Sequence, residues 1–164
     1  MKDTFLLYHG TNRLFNPGDV LAPFGDNNTG INAVFGATHP LAAIRYALCK
    51  NYGARKCFYS SLLKSFFLHP VSNKNRTPAG YVYTMHPDTF IKSPKHNGDI
   101  YISNIPAKIK KLVLTISPEY FKENGDSLYN IENWELFDSM AIAAEKERLL
   151  IFKRHVGASI CRLL

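Results

Sequence analysis

Apolar residues in this chain gather in short runs separated by polar stretches bearing glycine and asparagine, the pattern of a protein built from short strands and a few helices. The first run, Phe5-Leu6-Leu7-Tyr8, predicts a buried strand and gives way to His9-Gly10-Thr11. Residues 17–32 predict a loop, because their glycines and asparagines favour turns. The stretch NAVFGAT, residues 32–38, predicts a second strand leading into a helix. Thr38 or His39 stands where a cap is needed, Pro40 suits the first helical position, and Gly53 suits the stop. Leu41, Ile44 and Leu48 form one stripe of that helix. Ala42, Tyr46 and Cys49 form the adjacent stripe, so Tyr46 has a definable face with a small residue one turn below it. The apolar stretch Cys57–Pro70 has no clean period and predicts helical or mixed structure, and residues 72–80 predict a loop. Strands are predicted over residues 81–85, 98–104 and 110–116. Ser117-Pro118-Glu119 has the form of a helix start. Residues 131–153 carry a helical period, with Trp134, Phe137, Ala141 and Ala144 near one face and Glu132, Glu135, Asp138 and Lys146 toward the other. Helices do not alternate regularly with strands, so the class is α+β rather than doubly wound α/β.

Composition narrows this picture. The 164 residues are 46% hydrophobic and 20% charged, which predicts one folded domain over residues 1–164, with a helical C-terminal segment over about 118–155. The run before His9 is too short for a signal-peptide core, and no stretch reaches the ~20 apolar residues of a membrane span. The expectation is a soluble protein of the cytoplasm, or one delivered to another cell's cytoplasm by a signal-less route. Three cysteines, Cys49, Cys57 and Cys161, are too few and too irregular for a disulfide framework, and neither they nor the six histidines have metal-ligand spacing. No metal is expected. The net charge of +7 favours anionic partners such as nucleic acid, a nucleotide or an acidic protein. Much of it lies in Lys50, Arg55, Lys56, Lys64, Lys74 and Arg76, and in Lys108, Lys110 and Lys111. A solvated basic surface explains these charges as well as a nucleic-acid site does.

No glycine-rich dinucleotide or P-loop motif occurs, and no GxSxG elbow. Nothing beside Cys49 lowers a thiol pKa, so it reads as a small buried residue. His9-Gly10-Thr11 taken alone is a strand ending in a turn, with Gly10 at positive φ.

Two segments change that reading when set together. A strand ends in Tyr8-His9-Gly10-Thr11. A second strand carrying Phe35 is followed by a helix with Ala42-Ala43 and then Tyr46, eleven residues beyond Phe35. This pair of motifs resembles the ADP-ribosyltransferase superfamily, the group of diphtheria toxin and the poly(ADP-ribose) polymerases. The stretch from His9 to Pro23, with the helix at Leu41–Ala47, also resembles the small rifamycin ADP-ribosyltransferases. The resemblance covers residues 5–52 well and 80–116 loosely. It implies a split β-sandwich of two small, mostly antiparallel sheets with flanking helices. It also implies cleavage of NAD at the nicotinamide–ribose bond through an oxocarbenium-like ribose, chemistry akin to glycoside hydrolysis. Tyr46 is then the aromatic platform for nicotinamide, and Phe35 takes the second aromatic position, where many relatives have tyrosine. Gly10 lets backbone approach the carboxamide. His9 bonds the adenosine ribose, supported by Thr11.

The family's third motif is an acid on a later strand. In "GDIYISNIPAKI", Tyr101, Ile102, Ser103 and Pro106 fit the frame, but the acid position falls on Ile100, with Asp99 one residue early. A one-residue offset sends a strand side chain to the other face. Asp99 serves as the acid only through a bulge at Gly98 or another register, and Asp88 is the second candidate. Three functions follow. The first is a mono-ADP-ribosyltransferase with His9, Tyr46 and Asp99 as catalytic residues, acting on a protein, a nucleic acid or a small molecule. The second is a non-catalytic NAD- or ADP-ribose-binding module. The third is an RNA 2′-phosphotransferase, which needs arginines such as Arg13, Arg45, Arg55 and Arg76 to converge on phosphate.

Overall fold

The computed structural model describes residues 6–26, 30–71, 77–96, 98–145 and 161–162. In chain order the elements are β1 (Leu7–Thr11), β2 (Val20–Leu21), β3 (Phe24–Gly25), β4 (Asn32–Ala37), α1 (Pro40–Tyr52), β5 (Ala54–Ser60), β6 (Ser65–Pro70) and β7 (Gly80–Met85). A single 3₁₀ turn (Pro87–Thr89) precedes β8 (Ile91–Lys92), β9 (Ile100–Ser103), β10 (Ala107–Ile116), α2 (Pro118–Asn124), β11 (Ser127–Asn130), α3 (Trp134–Glu145) and β12 (Cys161–Arg162). The class is mixed α+β with two sheets. The chain divides into two compact units, Met1–Ala47 with Gly80–Thr115 and Leu48–Ala79 with Ile116–Leu164.

The first unit is built on the strand order β2-β10-β7-β1-β4-β9-β8, with β3 paired to β4. One face of this sheet carries Leu7, Val34, Tyr83, Met85, Phe90, Ala107 and Ile109, its principal core. Alternation sends Gly10, Ala33, Phe35, Val82 and Ile102 to the other face. There Ala33, Phe35 and Ile102 form a smaller cluster. Helix α1 packs on that second face through Ala43 and Ala47. It has the predicted ends: the Leu41 N–H donates to His39 Nδ1 at 3.2 Å, Pro40 opens the helix, and Gly53 closes it at φ 62°. The buried stripe is Ala43, Ile44, Ala47 and Leu48, one residue round from the predicted pair of stripes.

In the second unit β5 and β6 form an antiparallel hairpin, β6 pairs parallel with β11, and β11 pairs antiparallel with β12. This corrects the helical or mixed reading of Cys57–Pro70. Phe58 and Phe67 are cross-strand partners that pack on Phe137 of α3, while the neighbouring pair Tyr59 and Phe66 faces Phe121 of α2. Both faces of the hairpin are covered, so apolar residues stand side by side at Phe58–Tyr59 and Phe66–Phe67 and the period of two is lost. Of the helix predicted over residues 131–153, α3 spans Trp134–Glu145, and residues 146–153 lie outside the described residues. Among the described residues no helix is long and apolar enough to cross a membrane.

Candidate functional site where β1 parts from β4

The dipeptide His9-Gly10 lies inside β1, not beyond its end. Gly10 is absent from the positive-φ residues, so the turn reading of His9-Gly10-Thr11 does not hold. Its lack of a side chain serves a close approach instead. A Cβ built there would lie 1.9 Å from the Ala43 carbonyl oxygen and 2.8 Å from the Ala47 nitrogen, so α1 rests directly on the strand backbone. Tyr46 stands between those two contact residues in the helix sequence and is 40% exposed. The Gly10 contact thus sets the position from which Tyr46 projects.

Strand β1 pairs with β7 over all five residues, Leu7 with Met85 through Thr11 with Tyr81. With β4 it shares one register pair, Tyr8 with Ala37, and none follows it. The Thr38 N–H is taken by the Asp99 carbonyl at 2.9 Å, so the Tyr8–Ala37 pair is of the mutually hydrogen-bonded kind. Antiparallel alternation then turns the N–H and C=O of Gly10 toward β4, on the side where the register stops. His9 enters the same gap. It is 8% exposed, and its Nδ1 lies 2.8 Å from the Phe35 carbonyl oxygen. A carbonyl only accepts, so Nδ1 carries the proton and Nε2 is the basic nitrogen of the neutral ring.

Around this gap stand groups that the sequence placed and groups that it did not. Thr11 is 9% exposed, and its Oγ1 accepts the Arg13 N–H at 3.2 Å, which fixes the chain leaving β1. Tyr83, the cross-strand partner of His9, is fully buried; its hydroxyl accepts the Phe15 N–H at 2.8 Å and lies 3.4 Å from the Arg13 carbonyl. Burial pushes its pKa above the ordinary tyrosine value. The Phe35 ring is buried between Phe24, at 5.8 Å, and His96, at 5.7 Å edge-on. His96 was missed by sequence reasoning. It stands in the loop joining β8 to β9, where the Ser93 N–H donates to the Ile100 carbonyl and Ser93 Oγ lies 2.8 Å from His96 Nδ1. Only the pairing of β9 with β4 brings that loop to Phe35.

The acid candidates fall outside this arrangement. Ile100 pairs with Ala37, and the register runs unbroken to Ser103 opposite Val34. Gly98 has φ 86°, yet no bulge enters the ladder. Asp99 therefore precedes the strand, exposed, and alternation points it away from Ile100 and Phe35, to the face that His9 shares with Tyr83. Asp88 is exposed in the 3₁₀ turn. Arg13 and Arg45 are exposed in the first unit, Arg55 belongs to the second, and Arg76 lies outside the described residues. Among the described residues no three His, Cys, Asp or Glu side chains are grouped to hold a metal ion. No protein-family model matches the chain. No curated protein shows significant sequence similarity to it.

Proposed function

We propose that the first unit is an ADP-ribosyltransferase-like domain that takes NAD as substrate at the opening between β1 and β4. The observation that carries this reading is that the register of those strands stops after Tyr8–Ala37, with His9 Nδ1 set on the Phe35 carbonyl just beyond it. A peptide edge without a strand partner offers one donor and one acceptor in line, and the nicotinamide carboxamide presents the complementary pair. The N–H and C=O of Gly10 are the groups turned to that side. With Nδ1 committed to Phe35, Nε2 of His9 accepts a ribose hydroxyl. Tyr46 supplies an aromatic face from α1, a contact worth ~0.5–1.5 kcal/mol beyond burial. Leaving of nicotinamide develops positive charge on the ribose, which an acidic side chain would stabilise. Asp99 is the acid nearest the family's frame.

The place of Asp99 favours a second reading. Ile100 holds the position of the acid, and the carboxylate beside it, though on the face of His9, stands exposed ahead of the strand. A domain of that kind binds NAD or ADP-ribose and transfers slowly or not at all. Nicotinamide release by the purified chain, with NAD-induced thermal stabilisation measured alongside, separates the two. Turnover abolished in His9→Ala, Tyr46→Ala and Asp99→Ala supports transfer. Stabilisation by NAD without release, abolished in His9→Ala, supports binding alone. Neither release nor stabilisation refutes both.

A further inference from the structure

We infer that the second unit carries a binding site for single-stranded nucleic acid, centred on Trp134 and independent of the NAD reading. Trp134 opens α3, is 38% exposed, and is ringed by nitrogen-bearing side chains. Lys56 Nζ lies 4.9 Å and Arg55 Cζ 5.8 Å from the indole centroid. His69, the cross-strand partner of Lys56, meets the indole edge-on at 5.0 Å and is oriented by its Nδ1, 3.0 Å from the Ile131 carbonyl. Phe137 backs the ring at 5.8 Å, nearly parallel to it.

Arg55 and Lys56 are sequence neighbours, and in a regular strand they would point to opposite faces. The ladder between β5 and β6 slips between Ala54 and Lys56, leaving Arg55 without a register partner. That bulge re-aims Arg55, and both cations reach one indole. Bringing two like charges together costs energy unless an anion answers them, and among the described residues neither is held in an ion pair with a carboxylate. A half-exposed aromatic face with two long-stemmed cations is the pairing that single strands use: bases stack on the ring, and the cations follow the phosphates. Arg55 and Lys56, two of the basic residues whose role the sequence leaves open, thereby share one aromatic ring. A base that takes the indole face displaces Lys56 and Arg55 onto the flanking phosphates. Each cation–π interaction is exchanged for a charge-assisted hydrogen bond.

Trp134 is the one tryptophan of the chain, so intrinsic fluorescence reports on this site directly. Titration with an oligothymidylate of about a dozen nucleotides should quench it. The double variant Arg55→Ala/Lys56→Ala, at two exposed positions, should weaken binding about tenfold or more and flatten the salt dependence by about 1.4, or roughly 0.7 for each phosphate that is no longer neutralised. Trp134→Phe, followed by anisotropy of a labelled oligonucleotide, should weaken binding while keeping most of the salt slope. Absence of quenching, or equal affinity in the double variant, overturns the proposal. Equal quenching by polyglutamate also overturns it, in favour of an acidic protein segment.

Discussion

Replacing Gly10 with alanine tests how β1 and α1 hold the candidate site. The new Cβ would stand 1.9 Å from the Ala43 oxygen, 2.8 Å from the Ala43 carbon and 2.8 Å from the Ala47 nitrogen. All three are backbone atoms, so no rotamer change relieves the clash. The helix must withdraw by about 1 Å to pass the 3.0 Å below which Cβ approaches essentially never fall. Overpacking of this kind costs ~1–3 kcal/mol, and a rigid backbone neighbour places it at the top of that range. Alanine recovers ~0.4–1 kcal/mol by restricting the unfolded chain, leaving a net destabilisation of about 2 kcal/mol. For a chain of this length that lowers Tm by about 4–8 °C. Gly80→Ala is the comparison, because its Cβ would meet the side chain and carbonyl oxygen of Ala47 at 3.2 Å, a far milder approach to the same helix. Thermal melts of the two variants, with NAD titrated into each, give the comparison. A Gly10→Ala Tm within a degree or so of wild type would mean that α1 does not rest on β1 as described, and the placement of Tyr46 would fall with it.

Thr84 is buried, and among the described residues its Oγ1 has no hydrogen-bond partner. Thr84→Val keeps the shape and removes the stranded hydroxyl, so Tm should rise by about 2–4 °C, and a fall would show that the hydroxyl is satisfied. Tyr83→Phe removes the acceptor of the Phe15 N–H and should cost about 1 kcal/mol in denaturant unfolding. The raised pKa of Tyr83 also sets a sign: the folded form keeps its proton after the unfolded form begins to lose one near 10.0. Stability from this group is therefore complete below that pH and declines as pH climbs from there through the raised folded value. Tyr59 and Tyr120, raised chiefly by burial as well, add to the decline, and Tyr83→Phe should make it shallower. An unchanged alkaline profile in that variant would contradict the assignment. Phe67, stacked on Phe58 at 4.8 Å and on Tyr129 at 5.3 Å, holds the second unit's sheet. Phe67→Ala should cost ~3–5 kcal/mol, read as a drop in the denaturant midpoint, and a cost under about 1 kcal/mol would refute that role.

Elements governed by neighbouring residues were legible in the chain. Pro40 and Gly53 bracket α1 because one presets φ and the other accepts a left-handed turn, and both act within a few residues. The strands at β1, β4, β7, β9 and β10, and the start of α2 at Pro118, followed from local composition in the same way. The hairpin of β5 and β6 was not legible, because helices cover both of its faces and erase the alternation that marks a strand. Nor was β11, four residues long, whose pairing with β6 joins segments some sixty residues apart. At the candidate site the sequence nominated His9, Gly10, Thr11, Phe35 and Tyr46. Only the pairing of strands decided that Gly10 faces a helix, that Asp99 lies on the far side from Ile100, and that His96 meets Phe35. It also took a bulge, which no residue type announces, to bring Arg55 and Lys56 to one indole. Local preference sets what each segment can form; which face a side chain occupies depends on register, and register is fixed by partners distant in the chain.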